Sequence, residues 1–187
     1  EPLNILDEAC GTCDFTIEIA KGAPQGSKVT GIDLSEGMLQ IGREKCSKEG
    51  ITADLQTGDC EAMPYEDETF DRIGVAFGVR NFERLAQGYA EMLRVLRPGG
   101  TLCVIELSVP RNPLIRWAYN IYSRHLIPAI GRLVSGDSRA YSYLPESIAA
   151  CPQREEMTDL MRQAGFTDCR YRSLTFGTLT IYLATRP

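Results

Sequence analysis

Strand-like and helix-like segments alternate along the first hundred residues, and this alternation constrains the fold more than any other feature. Residues 3–9 form a short apolar run that ends in Asp7 and Glu8. A glycine-containing turn and a helical stretch over 12–21 follow, and Gly22, Pro24 and Gly26 break the chain. Lys28–Asp33 reads as a second strand. Ser35 is a suitable N-cap, Met38, Leu39, Ile41 and Cys46 form a helical stripe, and Gly50 stops the helix. Strands are predicted at 53–57, 70–77 and 101–107, with a helix over 83–96 and a turn at Pro98-Gly99-Gly100. Strands separated by helices of this length predict βαβ units and a mostly parallel sheet.

The pattern changes after Pro110. Residues 111–143 contain no convincing strand. Leu114, Ala118, Ile121, Tyr122 and His125 share one helical face there, and Arg116, Asn120, Ser123 and Arg124 the other. A helix over 154–164 and two strands near 166–173 and 178–185 predict an antiparallel end to the sheet. The expected fold class is therefore α/β, Rossmann-like. One domain covers residues 1–187, and a helical insertion over 111–150 follows the fifth strand.

Composition narrows the functional classes. A length of 187 residues suits one domain. The net charge of −5 argues against a nucleic-acid binder acting through bulk charge. That charge is split: residues 1–100 carry 10 Lys+Arg against 18 Asp+Glu, and residues 101–187 carry 10 against 7, all ten cations being Arg. Five of those arginines (Arg111, Arg116, Arg124, Arg132, Arg139) are interleaved with Trp117, Tyr119, Tyr122, Tyr141 and Tyr143 around a single acid, Asp137. A basic, aromatic, amphipathic segment suits an anionic membrane surface. A lid or a homodimer helix with a solvated charged face is the equally weighted alternative.

The seven cysteines are odd in number and show no framework spacing. They read as free thiols, with Cys46, Cys60, Cys103 and Cys169 expected as small buried hydrophobes. No signal peptide and no apolar run of ~18 residues is visible, so the expected location is the cytoplasm, with peripheral attachment to the inner membrane face. The chain reads as starting inside its domain.

In an open parallel sheet, ligands bind beyond the carboxyl ends of the strands. The groups there are Asp7 to Cys13 after the first strand, Asp33 after the second, Asp59 and Cys60 after the third, and Gly78, Arg80 and Asn81 after the fourth. A dinucleotide site wants G-x-G-x-x-G, but only Gly11 is present, with Cys13 and Thr16 at the later positions. The NAD fingerprint fails. Asp33, 22 residues after Gly11, suits ribose hydroxyls. An acidic surround suits a phosphate-free, cationic nucleoside such as S-adenosylmethionine (SAM). Cys10-Gly11-Thr12-Cys13 also has the spacing of a thioredoxin-like redox pair, although the long βαβ series with Asp33 and Asp59 is not a thioredoxin pattern. No second Cys or Cys/His pair is spaced for zinc, so no metal site is expected.

Several segments carry a more specific resemblance. They are residues 5–14 (ILDEACGTCD), 31–45 (GIDLSEGMLQIGREK), 58–70 (GDCEAMPYEDETF), 76–82 (AFGVRNF), 91–100 (EMLRVLRPGG), 127–147 (IPAIGRLVSGDSRAYSYLPES), 164–166 and 174–177 (LTFG). With these the chain resembles the menaquinone/ubiquinone-biosynthesis C-methyltransferases, the UbiE-type class I SAM-dependent enzymes. The resemblance implies methylation of a polyprenylated quinol, demethylmenaquinol above a benzoquinol. It implies SAM contacts at Asp7, Gly11, Thr12, Asp33, Asp59 and Cys60, and catalytic roles for Arg80 and Asn81. Arg80 would stabilise a quinolate oxygen, because a guanidinium is a poor base; a structural ion pair at the strand end is the alternative. Water or a carboxylate such as Asp137 would be the base, and His125 would be a packed ring. Two departures from the family stand out: Cys13 replaces a glycine, which would crowd the site or take an ordinary φ, and an N-terminal helical segment is missing. Other functional readings are a SAM-dependent methyltransferase with another small acceptor, or a catalytically silent binding domain.

Overall fold

A computed structural model describes residues 1–122 and 139–187, with side chains from 144 onward in the second stretch. His125, Arg124, Arg132 and Asp137 lie outside these residues. The backbone alternates as the sequence predicts. The order is β1 (Asn4–Glu8), α1 (Asp14–Gly22), β2 (Lys28–Asp33), α2 (Glu36–Glu49), β3 (Asp54–Thr57), β4 (Phe70–Ala76), a 3₁₀ turn (Val79–Asn81), α3 (Leu85–Val95) and β5 (Leu96–Leu107). Then come α4 (Pro113–Ile121), α5 (Arg139–Ala150), α6 (Glu155–Ala164), β6 (Thr167–Leu174), a second 3₁₀ turn (Thr175–Gly177) and β7 (Leu179–Thr185).

The seven strands form one sheet in the order β3-β2-β1-β4-β5-β7-β6. The pairs β1–β2, β1–β4, β2–β3 and β4–β5 are parallel, and β7 runs antiparallel to both β5 and β6. The chain doubles back beside β1, so β1 and β4 are neighbours whose connections leave on opposite sides. That reversal opens a crevice at the carboxyl ends of the strands.

Local chemistry fixes the boundaries. The Ser35 hydroxyl accepts a hydrogen bond from Met38 N–H, and Gly50 closes α2 at φ 67°. Asn112 caps α4 by accepting from Leu114 and Ile115 N–H, with Pro113 in the first turn. Gly165 ends α6 at φ 111°. The turn expected at Pro98-Gly99-Gly100 is a bulge instead. Strand β5 runs through it, with Leu96 opposite Phe70 and Thr101 opposite Arg72. The looped-out residues are held by Arg186, whose carbonyl accepts from Gly99 N–H at 2.9 Å and whose N–H donates to Gly100 O at 3.0 Å.

One face of the sheet packs Leu6, Ile73, Val75, Leu102 and Val104 against Tyr89 and Met92 of α3 and Met157 and Met161 of α6. Each such buried side chain contributes about 1.5–3 kcal/mol. A smaller cluster of Cys10, Cys13, Ile17, Leu39 and Cys46 joins α1 to α2. The stripe expected on α2 is narrower than its pattern, because Met38 and Ile41 stay exposed and Gly42 takes the place inside. Cys46 and Cys60 are buried as expected, whereas Cys103 and Cys169 are only half-buried, Cys169 packing at the margin of the main core.

Helix α4 buries no residue against the rest of the described chain. Leu114, Trp117 and Ile121, spaced three and four residues apart, form an exposed apolar stripe. Two of the cations assigned to a membrane surface are used internally. Arg111 pairs with Glu155, and Arg116 Nε donates to Pro110 O at 2.8 Å. Among the described residues no helix is long and apolar enough to cross a membrane.

Candidate functional site

A cavity of about 900 Å³ opens at the carboxyl ends of β1, β2, β3 and β4. Its walls include Gly11, Asp33, Asp59, Cys60, Arg80 and Asn81, so the structure brings six of the eight candidate residues together. Asp7 and Thr12 are not on its surface.

The floor is a strained turn. Ala9, Gly11 and Cys13 take φ of 55°, 54° and 65°. Gly11 N–H, freed by this turn, donates to Asp33 Oδ2 at 2.8 Å, and Ser35 N–H donates to Asp33 Oδ1 at 2.8 Å. The carboxylate at the end of β2 is thus fixed by backbone on both sides. Asp59 is oriented the same way, its Oδ1 accepting from Glu61 N–H at 2.8 Å. Gly78 is required opposite Ala9, because a Cβ there would lie 2.6 Å from the Ala9 Cβ.

Strand alternation explains the two absences. Asp7 points toward α1, is 1% exposed and accepts from the Thr16 hydroxyl, leaving Oδ1 without a partner among the described residues. Burial pushes its carboxyl up to about 7. Glu8 points to the opposite face, fully buried with neither oxygen partnered among the described residues, and burial holds its carboxyl well above the usual range. Asp7 and Glu8 are thus interior acids, whereas Asp33 and Asp59 line the pocket together with Asp14, Glu18, Glu61 and Glu83. Thr12 turns outward, donating to Asp14 at 2.9 Å and accepting from Lys45 Nζ at 3.0 Å.

Cys13 neither crowds the pocket nor takes an ordinary φ. It keeps a left-handed backbone and is completely buried beneath α2. Gly42 supplies the space, since a Cβ there would lie 2.4 Å from Cys13 Sγ. Gly42→Ala is accordingly expected to cost about 1–3 kcal/mol, as overpacking does. Cys13→Gly placed on top should restore most of that loss. Chemical denaturation of the two single variants and the double variant measures this coupling.

Arg80, in the 3₁₀ turn after β4, has its guanidinium anchored. Nη1 donates to Glu106 Oε1 at 2.8 Å and to Phe77 O, while Arg80 N–H reaches Glu106 Oε2 at 3.3 Å. Glu106 lies at the end of β5 with its side chain 2% exposed, and Arg80's is 14% exposed. The ion pair and the pocket position coexist. Asn81 sits beside it on the cavity wall. Glu106 lies inside the fifth strand, next to its last residue, so a search beyond the strand ends passes it by. Phe77, Phe82 and Met38 give the cavity its apolar walls, and nothing in their spacing sets them apart from core residues.

The walls therefore combine fixed carboxylates at Asp33, Asp59 and Glu61, a glycine turn, apolar side chains and two cations, Arg80 anchored by Glu106 and Arg84 paired with Glu61. That composition fits a cationic nucleoside: acid groups for hydroxyls and amines, and a backbone able to approach closely at Gly11. It does not fit a pyrophosphate, which the carboxylates would repel. Among the described residues no cluster of His, Cys, Asp and Glu is arranged to hold a metal ion.

Comparison with known proteins gives a consistent result. The model of the ubiE/COQ5 methyltransferase family matches residues 1–186. A demethylmenaquinone methyltransferase of Porphyromonas gingivalis is 45% identical over 184 residues, covering 97% of this chain and 75% of that protein. A ubiquinone/menaquinone biosynthesis C-methyltransferase UbiE of Geobacter sulfurreducens is 42% identical over 180 residues, covering 95% and 70%. Among solved structures, a SAM dependent methyltransferase from Aquifex aeolicus superposes with a TM-score of 0.73 at 19% identity, covering 99% of this chain and 82% of that one. That last likeness concerns the fold alone.

Proposed function

The chain belongs to the ubiE/COQ5 methyltransferase family, and we propose that it transfers the methyl group of SAM to a ring carbon of demethylmenaquinol. The observation that carries this reading is the cavity in which Gly11, Asp33, Asp59, Arg80 and Asn81 meet. In it, Asp33 and Asp59 bind the nucleoside hydroxyl and amine groups, and the Gly11 turn accommodates the amino-acid end. Bound SAM supplies an electrophilic methyl on a sulfonium.

The acceptor carbon is a weak nucleophile until a neighbouring phenol loses its proton. Arg80 lowers the cost of that loss by facing the quinolate oxygen, and Glu106 keeps the guanidinium in place. Asn81 orients the ring. Catalysis by this chain is then orientation and electrostatics. The exposed stripe of Leu114, Trp117 and Ile121 on α4 supports a membrane-facing role for that helix.

The test is methyl transfer from radiolabelled SAM to demethylmenaquinol in detergent micelles, with Asp33→Ala as the paired variant. Turnover should appear with the quinol and be absent with the oxidised quinone. Loss of the Asp33 carboxylate should weaken SAM binding by about 10-fold to 100-fold, the range for charge-assisted hydrogen bonds. SAM binding without methylation of any quinol would instead favour a different small acceptor.

A further inference from the structure

The Cys10-Gly11-Thr12-Cys13 turn carries chemistry that methyl transfer does not use. Cys10 Sγ and Cys13 Sγ are 4.0 Å apart and in hydrogen-bond contact. Cys13 N–H donates to Cys10 O at 2.8 Å. That closure brings the two Cα atoms within about 7 Å, the reach of a disulfide. Two glycines make room for the sulfurs. A Cβ on Gly31 would lie 2.9 Å from Cys10 Sγ, and one on Gly42 would lie 2.4 Å from Cys13 Sγ. Of these two cysteines, Cys10 belongs to the cavity wall and Cys13 does not.

We infer that Cys10 and Cys13 form a reversible dithiol–disulfide couple in the wall of the cofactor cavity, and that its oxidation weakens SAM binding. The oxidant class is a low-molecular-weight disulfide, which reaches the pair through the open cavity. Contact with Cys10 lowers the Cys13 thiol to about 7, so one of the two sulfurs holds a thiolate near neutral pH. The hydrogen bond with Cys13 and burial push the Cys10 thiol well above its ordinary range, so the thiolate rests on Cys13. Proton exchange across the Sγ–Sγ contact makes Cys10 the minor thiolate, which attacks the small disulfide at the cavity wall and releases one thiolate. Cys13 then loses its proton to that thiolate and attacks Cys10 Sγ, releasing the second. Two protein thiols and one disulfide become one protein disulfide and two small thiols.

The consequence for the cavity follows from Gly11, which lies between the cysteines. Joining the sulfurs closes 4.0 Å to about 2.05 Å and draws Cys13 from beneath Gly42. The turn that aims Gly11 N–H at Asp33 must shift with it. The effect on SAM rests on the function proposed above, whereas formation of the bond does not.

The experiment equilibrates the full chain with mixtures of glutathione and glutathione disulfide, alkylates the remaining thiols, and maps the products by peptide mass spectrometry. Calorimetry with SAM is run on the reduced and oxidised forms. The expected result is a Cys10–Cys13 cross-link that thiols reverse, with SAM affinity lower by about tenfold or more in the oxidised form. Cys10→Ala, which removes the attacking thiol and leaves the fully buried Cys13, should show the same affinity before and after oxidant. Failure of the pair to cross-link in the most oxidising mixture would overturn the inference, as would pairing of Cys13 with Cys46 instead. A cross-linked protein that binds SAM as tightly as the reduced one would also overturn it. Absence of SAM binding in the reduced protein would count against the proposed function, and the mass readout of the couple would still stand.

Discussion

Arg80→Ala will slow methyl transfer by about 10²–10³-fold, the usual effect of removing one preorganised donor from a developing oxyanion. The same substitution will weaken the fold, because it leaves Glu106, 2% exposed, as a buried carboxylate without its cation; such losses run to about 3–5 kcal/mol. The two effects separate in the double variant Arg80→Ala with Glu106→Gln. Removing the stranded charge should return most of the stability without returning turnover. The measurements are kcat at saturating SAM and quinol alongside chemical denaturation. If activity recovers together with stability, Arg80 serves only as a strand-end ion pair and the electrostatic role is wrong. Arg80→Lys keeps the charge but loses the fixed fork that serves Glu106 and the Phe77 carbonyl together, so it should fall between the two.

A second large effect concerns stability against pH. Burial raises the Asp7 carboxyl from the ordinary range to about 7, a rise equivalent to about 4 kcal/mol. A carboxyl raised in the folded state favours folding fully below about pH 4, and that advantage is lost as pH climbs to about 7. Glu8 acts in the same direction, because burial raises it too and neither of its oxygens has a partner among the described residues. Asp7→Asn should therefore gain several kcal/mol relative to wild type at pH 8 and almost nothing at pH 4. Glu8→Met should add to the gain at pH 8. Denaturant titrations of wild type and both variants at the two pH values provide the comparison. Equal stability of wild type and Asp7→Asn at both values would mean that Asp7 is ionised and hydrated in the folded protein. Exposed acids that are lowered by ion pairs, such as Glu36 beside Arg43, oppose this trend in wild type but cancel in the difference.

The fold was legible in the sequence because both of its periodicities are strong. Lys28–Asp33 needs no adjustment, and the stops at Gly50 and Gly165 fall at residues with positive φ. The bulge in β5 was not legible. Pro-Gly-Gly normally signals a turn, and the distant Arg186 helps to keep these residues within the strand. In the site, the rule of looking beyond each strand end found Asp33, Asp59, Cys60, Arg80 and Asn81. It said nothing about which way a side chain points. Asp7 and Glu8 are adjacent, so strand alternation sends them to opposite faces and away from the cavity. Thr12 was out of reach for a similar reason, since its partners Asp14 and Lys45 lie on two different helices. The fate of Cys13 depended on an absent side chain 29 residues later, at Gly42, and no local pattern encodes such a pairing.

That last pairing imposes an order on change. Positions 13 and 42 share a single volume, filled once, by a sulfur from one side or by a methyl from the other. A scan that alters one residue at a time will score Gly42 as intolerant and will locate the cause in helix α2, although it resides in the turn. Recoding this turn toward glycine is open only in one direction: residue 13 must be emptied before residue 42 is filled, because the reverse path passes through a protein with two atoms in one place.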